Sequence, residues 1–370
     1  MQTKNNSILE TIVLTGGHAG ATAISVIEEL HNRYKNLEIY WIGSKYALEG
    51  KKIPTLEYQT FPKIEVKFIS LFSGRLQRKF TRHTLPSILK IPFGFIHALI
   101  VLKKIKPKLI VSFGGYSSFP VIVIGKLLGI KIVIHEQTAV AGRANKYASF
   151  VADKIALARE ESKRYFPVNK SVVTGNPISK EILRLKNVPV NNKIPIIFIS
   201  GGSRGSEILN KEIELVLPQL ISKYHVIHQT GINQEDYYLN LKNGLPEKLR
   251  TNYQIYGFIQ TQNWPKLLSQ ADIVISRSGA NIVSELIALK KPSILVPLRY
   301  AYLDEQTKNA ELAQKFGIAW LIKQEDLNSE LLLRTINEVF SKKEKIKDLK
   351  YISPDVEADK KFVDLLAEYL

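Results

Sequence analysis

The chain has 370 residues, more than one ordinary hydrophobic core supports, so two domains of ordinary size are expected. Hydrophobic residues at 45% and charged residues at 23% exclude a disordered chain, and the lack of cysteine excludes disulfides and thiolate metal sites and fits a reducing cytoplasm. A net charge of +18 fits a solvated basic face that only aids solubility, or an anionic partner, either nucleic acid or an anionic membrane surface.

The first ten residues, MQTKNNSILE, lack the apolar core of a signal peptide. The first strand is expected over TIVLTG (11–16), leading through the glycine-rich turn TGGHAG into an amphipathic helix over ATAISVIEELHNRY (21–34). LEIYWIG (37–43) reads as the next strand. From Glu65 to Glu136 acidic residues vanish, while Lys67, Arg75, Arg78, Lys79, Arg82, Lys90, Lys103, Lys104, Lys106, Lys108, Lys126 and Lys131 accumulate. Leu71, Phe72, Leu76, Phe80, Leu85, Ile88, Leu89, Ile91, Phe93 and Phe95 are interleaved with these cations. Cations mixed with large apolar side chains suit an interfacial segment that pairs with headgroups and enters the acyl boundary. No nucleic-acid module accompanies the charge, so a membrane surface is expected and nucleic acid is not.

KLIVSFG (108–114) and IKIVIHE (130–136) read as further strands, and FPVIVIGKLLGIKIVI (119–134) is too interrupted by Lys126 and two glycines to span a bilayer. A linker is expected over NPISKEILRLKNVPVNNK (176–193). PIIFISG, YHVIHQT, DIVISRS and PSILVPL follow as strands, with an amphipathic helix over SEILNKEIELVLPQLISKY (206–224) and a terminal helix within 353–370. Continuous apolar runs, without strict alternation, indicate parallel strands covered on both faces. The glycines Gly16, Gly17 and Gly20 recur as Gly201, Gly202 and Gly205. The expected architecture is therefore α/β, with two Rossmann-like domains of parallel sheet separated by a deep cleft. The first covers residues 1–178, completed by the helix 353–370, and the second covers 190–345.

A strand-to-helix turn exposes unpaired N–H groups at the positive end of a helix, and glycine lets a phosphate or sugar approach them closely. The pattern is GGxxG and differs from both the dinucleotide fingerprint and the P-loop. Either copy alone fits a tight structural turn equally well. A third turn, DIVISRSGANIVSELIALKK, starts a helix near Gly279 to Asn281 and places Glu285 about one turn into it, where a carboxylate can accept hydrogen bonds from ribose hydroxyls while the helix start holds a diphosphate. Asp304, Glu305, Gln306 and Asn309 then form a polar cluster able to read sugar hydroxyls.

TGGHAG, VSFGGYSSFPVIVIGKLLGIKIVIHEQTAVAGRANK, VVTGNPI, ISGGSRGSEILN, SRSGANIVSELIALKKPSILVPL and DEQTKNA, in this order, resemble the MurG family over nearly the whole chain. That family transfers N-acetylglucosamine from UDP-N-acetylglucosamine to undecaprenyl-diphospho-muramoyl-pentapeptide. The resemblance implies an inverting glycosyltransferase of GT-B architecture, peripheral on the cytoplasmic face of the cell membrane. The donor would sit mostly in the second domain and the lipid acceptor against the first. It implies that Thr15, Gly16 and Gly17 line the sugar and phosphate side, and that Ser203 contacts the donor phosphate. Ile259 would meet the uracil edge, Ala280, Asn281, Ile282, Val283, Ser284 and Glu285 the phosphate and ribose, and Gln306 the N-acetylglucosamine ring. The family's two glycines before the threonine and its proline after the histidine are Val13, Leu14 and Ala21 here. Thr138 stands for its site asparagine, and Ser179 followed by Lys180 for its arginine, a cation that Lys180 or Arg204 would replace.

Attack on an anomeric carbon needs a general base and stabilisation of the departing diphosphate. His18, in the first glycine loop, has a side-chain type that titrates near neutrality and is the expected base, with Glu136 and His135 as fallbacks. A histidine that only fixes the loop is the plainer alternative. The chain has no Asp-x-Asp pair to hold a divalent ion, so neither metal nor cofactor is expected. Three other readings stand beside this one: glycosyl transfer to another membrane lipid, with the same donor site; 2-epimerisation of UDP-N-acetylglucosamine, with a similar two-domain cleft and donor; and nucleotide-sugar binding by a non-catalytic subunit.

Overall fold

The computed structural model describes residues 10–17, 19–48, 51–74, 84–186, 188, 190–202 and 205–370. The chain divides into two compact units, Met1–Pro177 with Glu357–Leu370, and Ile178–Val356.

In the first unit the strands are β1 (Glu10–Thr15), β2 (Leu37–Gly43), β3 (Tyr46–Leu48), β4 (Lys51–Pro54), β5 (Lys67–Ser70), β6 (Leu109–Ser112), β7 (Lys131–Glu136), β8 (Lys154–Leu157) and β9 (Ser171–Val173). Seven of them form a sheet in the order β5-β2-β1-β6-β7-β8-β9, every pair parallel. β3 and β4 form a separate antiparallel pair. The strand period of two is visible in β1: Ile12 and Leu14 enter one core, Val13 the other. Helix Gly20–Arg33 covers the first face together with the terminal helix Ala358–Ala367, whose Phe362, Val363 and Leu366 join the same core. The terminal helix is thereby a piece of the N-terminal unit, and it begins at Ala358, later than the segment 353–370 suggested.

The second unit holds β10 (Ile196–Ser200), β11 (His225–Gln229), β12 (Tyr253–Tyr256), β13 (Ile273–Ser276), β14 (Ser293–Leu295) and β15 (Ala319–Leu321). They form a second parallel sheet in the order β12-β11-β10-β13-β14-β15. Ile197 and Ile199 pack to one side and Phe198 to the other. The stretch read as a linker carries a short helix, Lys180–Leu185, whose Ile182 is buried in this unit's core.

Both sheets obey one topological rule. In the first, the strand order turns at β1, with β2 on one side and β6 on the other, and in the second it turns at β10, between β11 and β13. In open α/β sheets a crevice forms at the carboxyl ends of the strands where the order reverses. Thr15-Gly16 and Ser112 lie at one such place, Ser200-Gly201 and Ser276 at the other.

Candidate active site

At the first switch point the turn after β1 is locked to the turn after β6. The Gly17 N–H donates to the Gly114 carbonyl at 2.9 Å, and Ser117 Oγ donates to the Gly16 carbonyl at 3.0 Å. Gly114 and Gly115 have φ of +80° and +95°, and a Cβ on Gly115 would meet the Gly17 nitrogen at 2.8 Å, so only glycine fits this close approach. Thr15, one of the expected ligand residues, is fully buried, and its hydroxyl donates to the Ile42 carbonyl at 2.7 Å. Its side chain therefore holds the strand end in place, while Gly16 and Gly17 line a narrow pocket with Trp41, Ser44, Glu57 and Tyr116. His18 lies outside the described residues.

The start of helix Gly20–Arg33 is already occupied by a negative group. Glu57 is buried, and its carboxylate accepts from the Ala19 N–H at 3.1 Å. A carboxylate at that position satisfies one of the exposed donors and repels a second anion, so the first glycine loop is poorly suited to hold a diphosphate. Nothing in the motif TGGHAG signals this, because Glu57 comes from the helix Leu56–Thr60.

Glu136 and Thr138 are both turned into the fold. Glu136 is buried and accepts from Thr138 N at 3.3 Å, Thr138 Oγ1 at 3.0 Å, Gly142 N at 2.8 Å and Asn145 Nδ2 at 3.0 Å. Burial pushes its carboxyl above the ordinary range while these donors pull it back. The single Thr138 hydroxyl proton is shared between Glu136 and the Val140 carbonyl, 2.6 Å away. The pair organises the loop between β7 and helix Arg143–Ala148; this is a positioning arrangement, and the geometry does not suit Glu136 as a base facing substrate. His135 is fully buried, with Nε2 against the Gly175 carbonyl at 3.2 Å.

The second switch point is built differently, although the glycines repeat. Gly202 and Gly205 have φ of +82° and +73°, whereas Gly20 is the first residue of a helix. A Cβ on Gly205 would lie 2.1 Å from the Thr230 carbonyl, and one on Gly202 would meet nothing, so the backbone is anchored at Gly205 and open at Gly202. Ser203 and Arg204 lie outside the described residues. Ser206 caps helix Glu207–Ile221 by accepting from Leu209 N.

Arg277 was not singled out in the sequence, yet it binds this loop to the next one. Its Nε and Nη2 donate to Ser206 Oγ at 3.1 and 2.7 Å, and its Nη1 donates to the Val296 and Pro297 carbonyls at 3.1 and 3.2 Å. Burial lowers its affinity for the proton, and its acceptors among the described residues, one hydroxyl and two carbonyls, are all neutral. A half-buried guanidinium among neutral acceptors beside a glycine loop supplies the positive charge that an anion needs there. Its one sequence signal is that it is the sole cation of the turn SRSGAN.

Helix Ala280–Leu289 starts behind Gly279, which has no side-chain cap and open space where a Cβ would be. Ala280, Asn281 and Ile282 are partly exposed, while Val283 and Ser284 are buried, so the helix offers backbone and small groups at its tip. Glu285 is 7% exposed, and burial pushes its carboxyl up to about 7 against one donor among the described residues, Trp264 Nε1, 2.7 Å from Oε2. Ile259 is buried in the core, so its side chain packs and does not face a ligand. Gln306 accepts from Leu298 N at 3.0 Å through Oε1, which orients its amide N–H groups outward from that contact. Just before it, Leu303 and Asp304 both have positive φ, 52° and 57°, strain that non-glycine residues keep at functional turns. Ser179 is the cap of helix Lys180–Leu185, accepting from Glu181 N at 3.2 Å.

Two α/β units, each with a glycine turn at the switch point of its parallel sheet, have the architecture of enzymes that use nucleotide sugars, and the comparisons single out the glycosyltransferases among them. Residues 11–157 match the glycosyltransferase family 28 N-terminal domain and residues 196–367 its C-terminal domain. A protein of Clostridium novyi (strain NT), named UDP-N-acetylglucosamine--N-acetylmuramyl-(pentapeptide) pyrophosphoryl-undecaprenol N-acetylglucosamine transferase, is 33% identical over 97% of this chain and 98% of its own. The crystal structure of Acinetobacter baumannii MurG superposes with a TM-score of 0.67 at 26% identity, covering 97% of this chain and 99% of that one. A Neisseria meningitidis UDP-GlcNAc 2-epimerase bound to UDP-GlcNAc shares the fold alone, at TM-score 0.66, 15% identity and coverage of 97% and 100%. The chain belongs to glycosyltransferase family 28, and within that family to the MurG group.

Proposed function

We propose that this protein transfers N-acetylglucosamine from UDP-N-acetylglucosamine to the 4-hydroxyl of undecaprenyl-diphospho-N-acetylmuramoyl-pentapeptide, working peripherally at the cytoplasmic face of the cell membrane. The observation that carries the donor half of this reading is Glu285, a buried carboxylate little more than one turn into a helix whose start is open, with Arg277 in the turn that leads into that helix. Glu285 accepts from the ribose, the helix start and Arg277 take the diphosphate, the Ile259 backbone meets the uracil, and Gln306 holds the sugar. Ser203 joins the diphosphate contact. His18 takes the proton as the acceptor oxygen attacks the anomeric carbon. The new glycosidic bond forms as the bond to the UDP oxygen breaks, and configuration inverts. Negative charge building on UDP is offset by Arg277 and backbone N–H groups.

The acceptor's lipid requires a membrane-facing surface. Among the described residues no helix is long and apolar enough to cross a membrane. Helix Ile91–Ile105 instead buries Gly94, Ala98, Val101 and Leu102 and leaves Phe93, Ile96 and Ile100 exposed at 57%, 55% and 61%. Leu85 and Leu89 extend this apolar row, and the exposed Lys103 and Lys104 end it. An exposed row of large apolar groups flanked by cations supports insertion into an anionic leaflet. Arg75, Arg78, Lys79 and Arg82, expected to strengthen this face, lie outside the described residues.

A single-turnover reaction with labelled donor and the lipid acceptor tests the activity: the label must appear on the lipid, and conversion of the donor to its C2 epimer without transfer would overturn the reading. The triple variant Phe93→Ser, Ile96→Ser, Ile100→Ser tests the surface. It should lose binding to anionic vesicles and keep activity on a short-chain soluble acceptor. Equal loss on both acceptors refutes membrane docking.

A further inference from the structure

Trp264 has no role in the motifs that carry the family resemblance, yet it is the one group bonded to Glu285 among the described residues. It is the first residue of helix Trp264–Gln270 and follows the loop that carries Ile259. Its ring meets Phe198 of β10 edge-on, with centroids 5.3 Å apart, and its backbone N–H donates to the Gln260 carbonyl at 3.2 Å. The ring is thus packed against Phe198 and its backbone tied to Gln260 before the indole N–H reaches Glu285. Its Nε1–H then takes Oε2 at 2.7 Å, which leaves Oε1 as the carboxylate oxygen without a protein donor among the described residues.

From this geometry we propose that Trp264 is a positioning residue for the donor ribose, holding one oxygen of Glu285 so that the other is presented to the ribose hydroxyls. The inference rests on the reading of Glu285 as the ribose acceptor. A carboxylate on a flexible side chain must lose rotational freedom to accept a hydroxyl, and a rigid indole donor removes that freedom beforehand. Trp264 also couples two parts of the nucleotide contact, since one short stretch of chain brings both the uracil-contacting backbone of Ile259 and the donor to Glu285. An indole is suited to this task because it offers one N–H and no acceptor, so it cannot compete with the carboxylate for the ribose protons.

Phe in place of Trp keeps the aromatic contact with Phe198 and deletes the N–H. Trp264→Phe should raise the donor KM about tenfold with kcat within about twofold, the loss expected for one charged hydrogen bond. The ratio of inhibition constants for 2′,3′-dideoxy-UDP over UDP should fall toward one. Trp264→His, which can return an N–H to the same region, should recover part of that ratio. Glu285→Ala is the control for the underlying reading. If it leaves the ratio unchanged, Glu285 does not contact the ribose and the donor assignment fails. If Glu285→Ala collapses the ratio while Trp264→Phe keeps both KM and ratio at wild-type values, the assignment stands and the role of Trp264 is overturned. Should Trp264→Phe fold poorly, the wild-type indole N–H resonance of Trp264 decides the matter. It should shift on binding UDP and stay in place on binding 2′,3′-dideoxy-UDP, and equal shifts with both would overturn the proposal.

Discussion

His228 makes the C-terminal unit sensitive to acid. It is fully buried on β11, with Nδ1 2.9 Å from the Tyr253 hydroxyl and Nε2 3.0 Å from Asn210 Oδ1. Asn210 spends its amide N–H groups on the Thr230 carbonyl and Gln234, so its oxygen is the acceptor and Nε2 carries the proton. Nδ1 is then bare and accepts from Tyr253. A neutral ring is thus fully bonded, and burial lowers its pKa from 6.5 to about 3. The unfolded chain binds this proton below pH 6.5 and the folded chain does not, so the associated stability is complete above 6.5 and falls as pH drops toward 3. At pH 5 the loss is RT ln(1 + 10^1.5), about 2 kcal/mol. The network also anchors the donor loop, because Thr230 lies against Gly205. Urea unfolding of wild type and His228→Gln, followed by tryptophan fluorescence at pH 7.5 and pH 5, isolates the effect, since all other titrations cancel in the difference. Wild type should be the more stable at pH 7.5 by about 1–3 kcal/mol, for the polar partners left unpaired in the variant. That advantage should shrink by about 2 kcal/mol at pH 5. A difference that does not change with pH refutes the reasoning.

Donor affinity should rise with pH through about 7, because the ionised form of Glu285 is the acceptor and its carboxyl titrates there; the donor KM measured from pH 6 to 8 checks this, and a flat profile speaks against it. Arg277→Gln should weaken UDP about tenfold or more while leaving uridine nearly unaffected, as expected for one charge-assisted contact to phosphate, and calorimetric titration of both ligands reads the split. Gly205→Ala should unfold the donor loop or the whole unit, since its Cβ would sit 2.1 Å from the Thr230 carbonyl at a φ of +73°, and wild-type melting with wild-type UDP affinity would contradict the clash. Glu136→Ala strips an acceptor from four donors, so a drop of several degrees in melting temperature is expected from a loss on the order of 3 kcal/mol.

The long apolar strands were legible because a strand covered on both faces needs a continuous hydrophobic run, as in Ile12-Val13-Leu14 and Ile197-Phe198-Ile199. The short strands β5, β8, β9, β12 and β15 were not, since three or four residues with mixed polarity carry no period long enough to read. The helix Lys180–Leu185 escaped for the same reason: its neighbours Asn, Pro and Lys look like a connector, and only the burial of Ile182 shows that it packs.

The sequence by itself determined the α/β class, the order of the glycine turns and the turn SRSGANIVSE that places Glu285, because each depends on residues close together in the chain. Tertiary structure alone decided what those turns can bind. The repeated glycines look equivalent in sequence, yet Glu57 blocks one helix start with a carboxylate, whereas Arg277 and Gly205 leave the other open and positively charged. Glu136 likewise reads as a fallback base and Thr138 as a ligand contact until Gly142 and Asn145 are seen around the one and Val140 against the other. Trp264 enters only once Glu285 is found 2.7 Å from its indole. In each case the charge and hydrogen-bond partners that decide the chemistry come from elements remote in sequence, and no local pattern records which of them fold together.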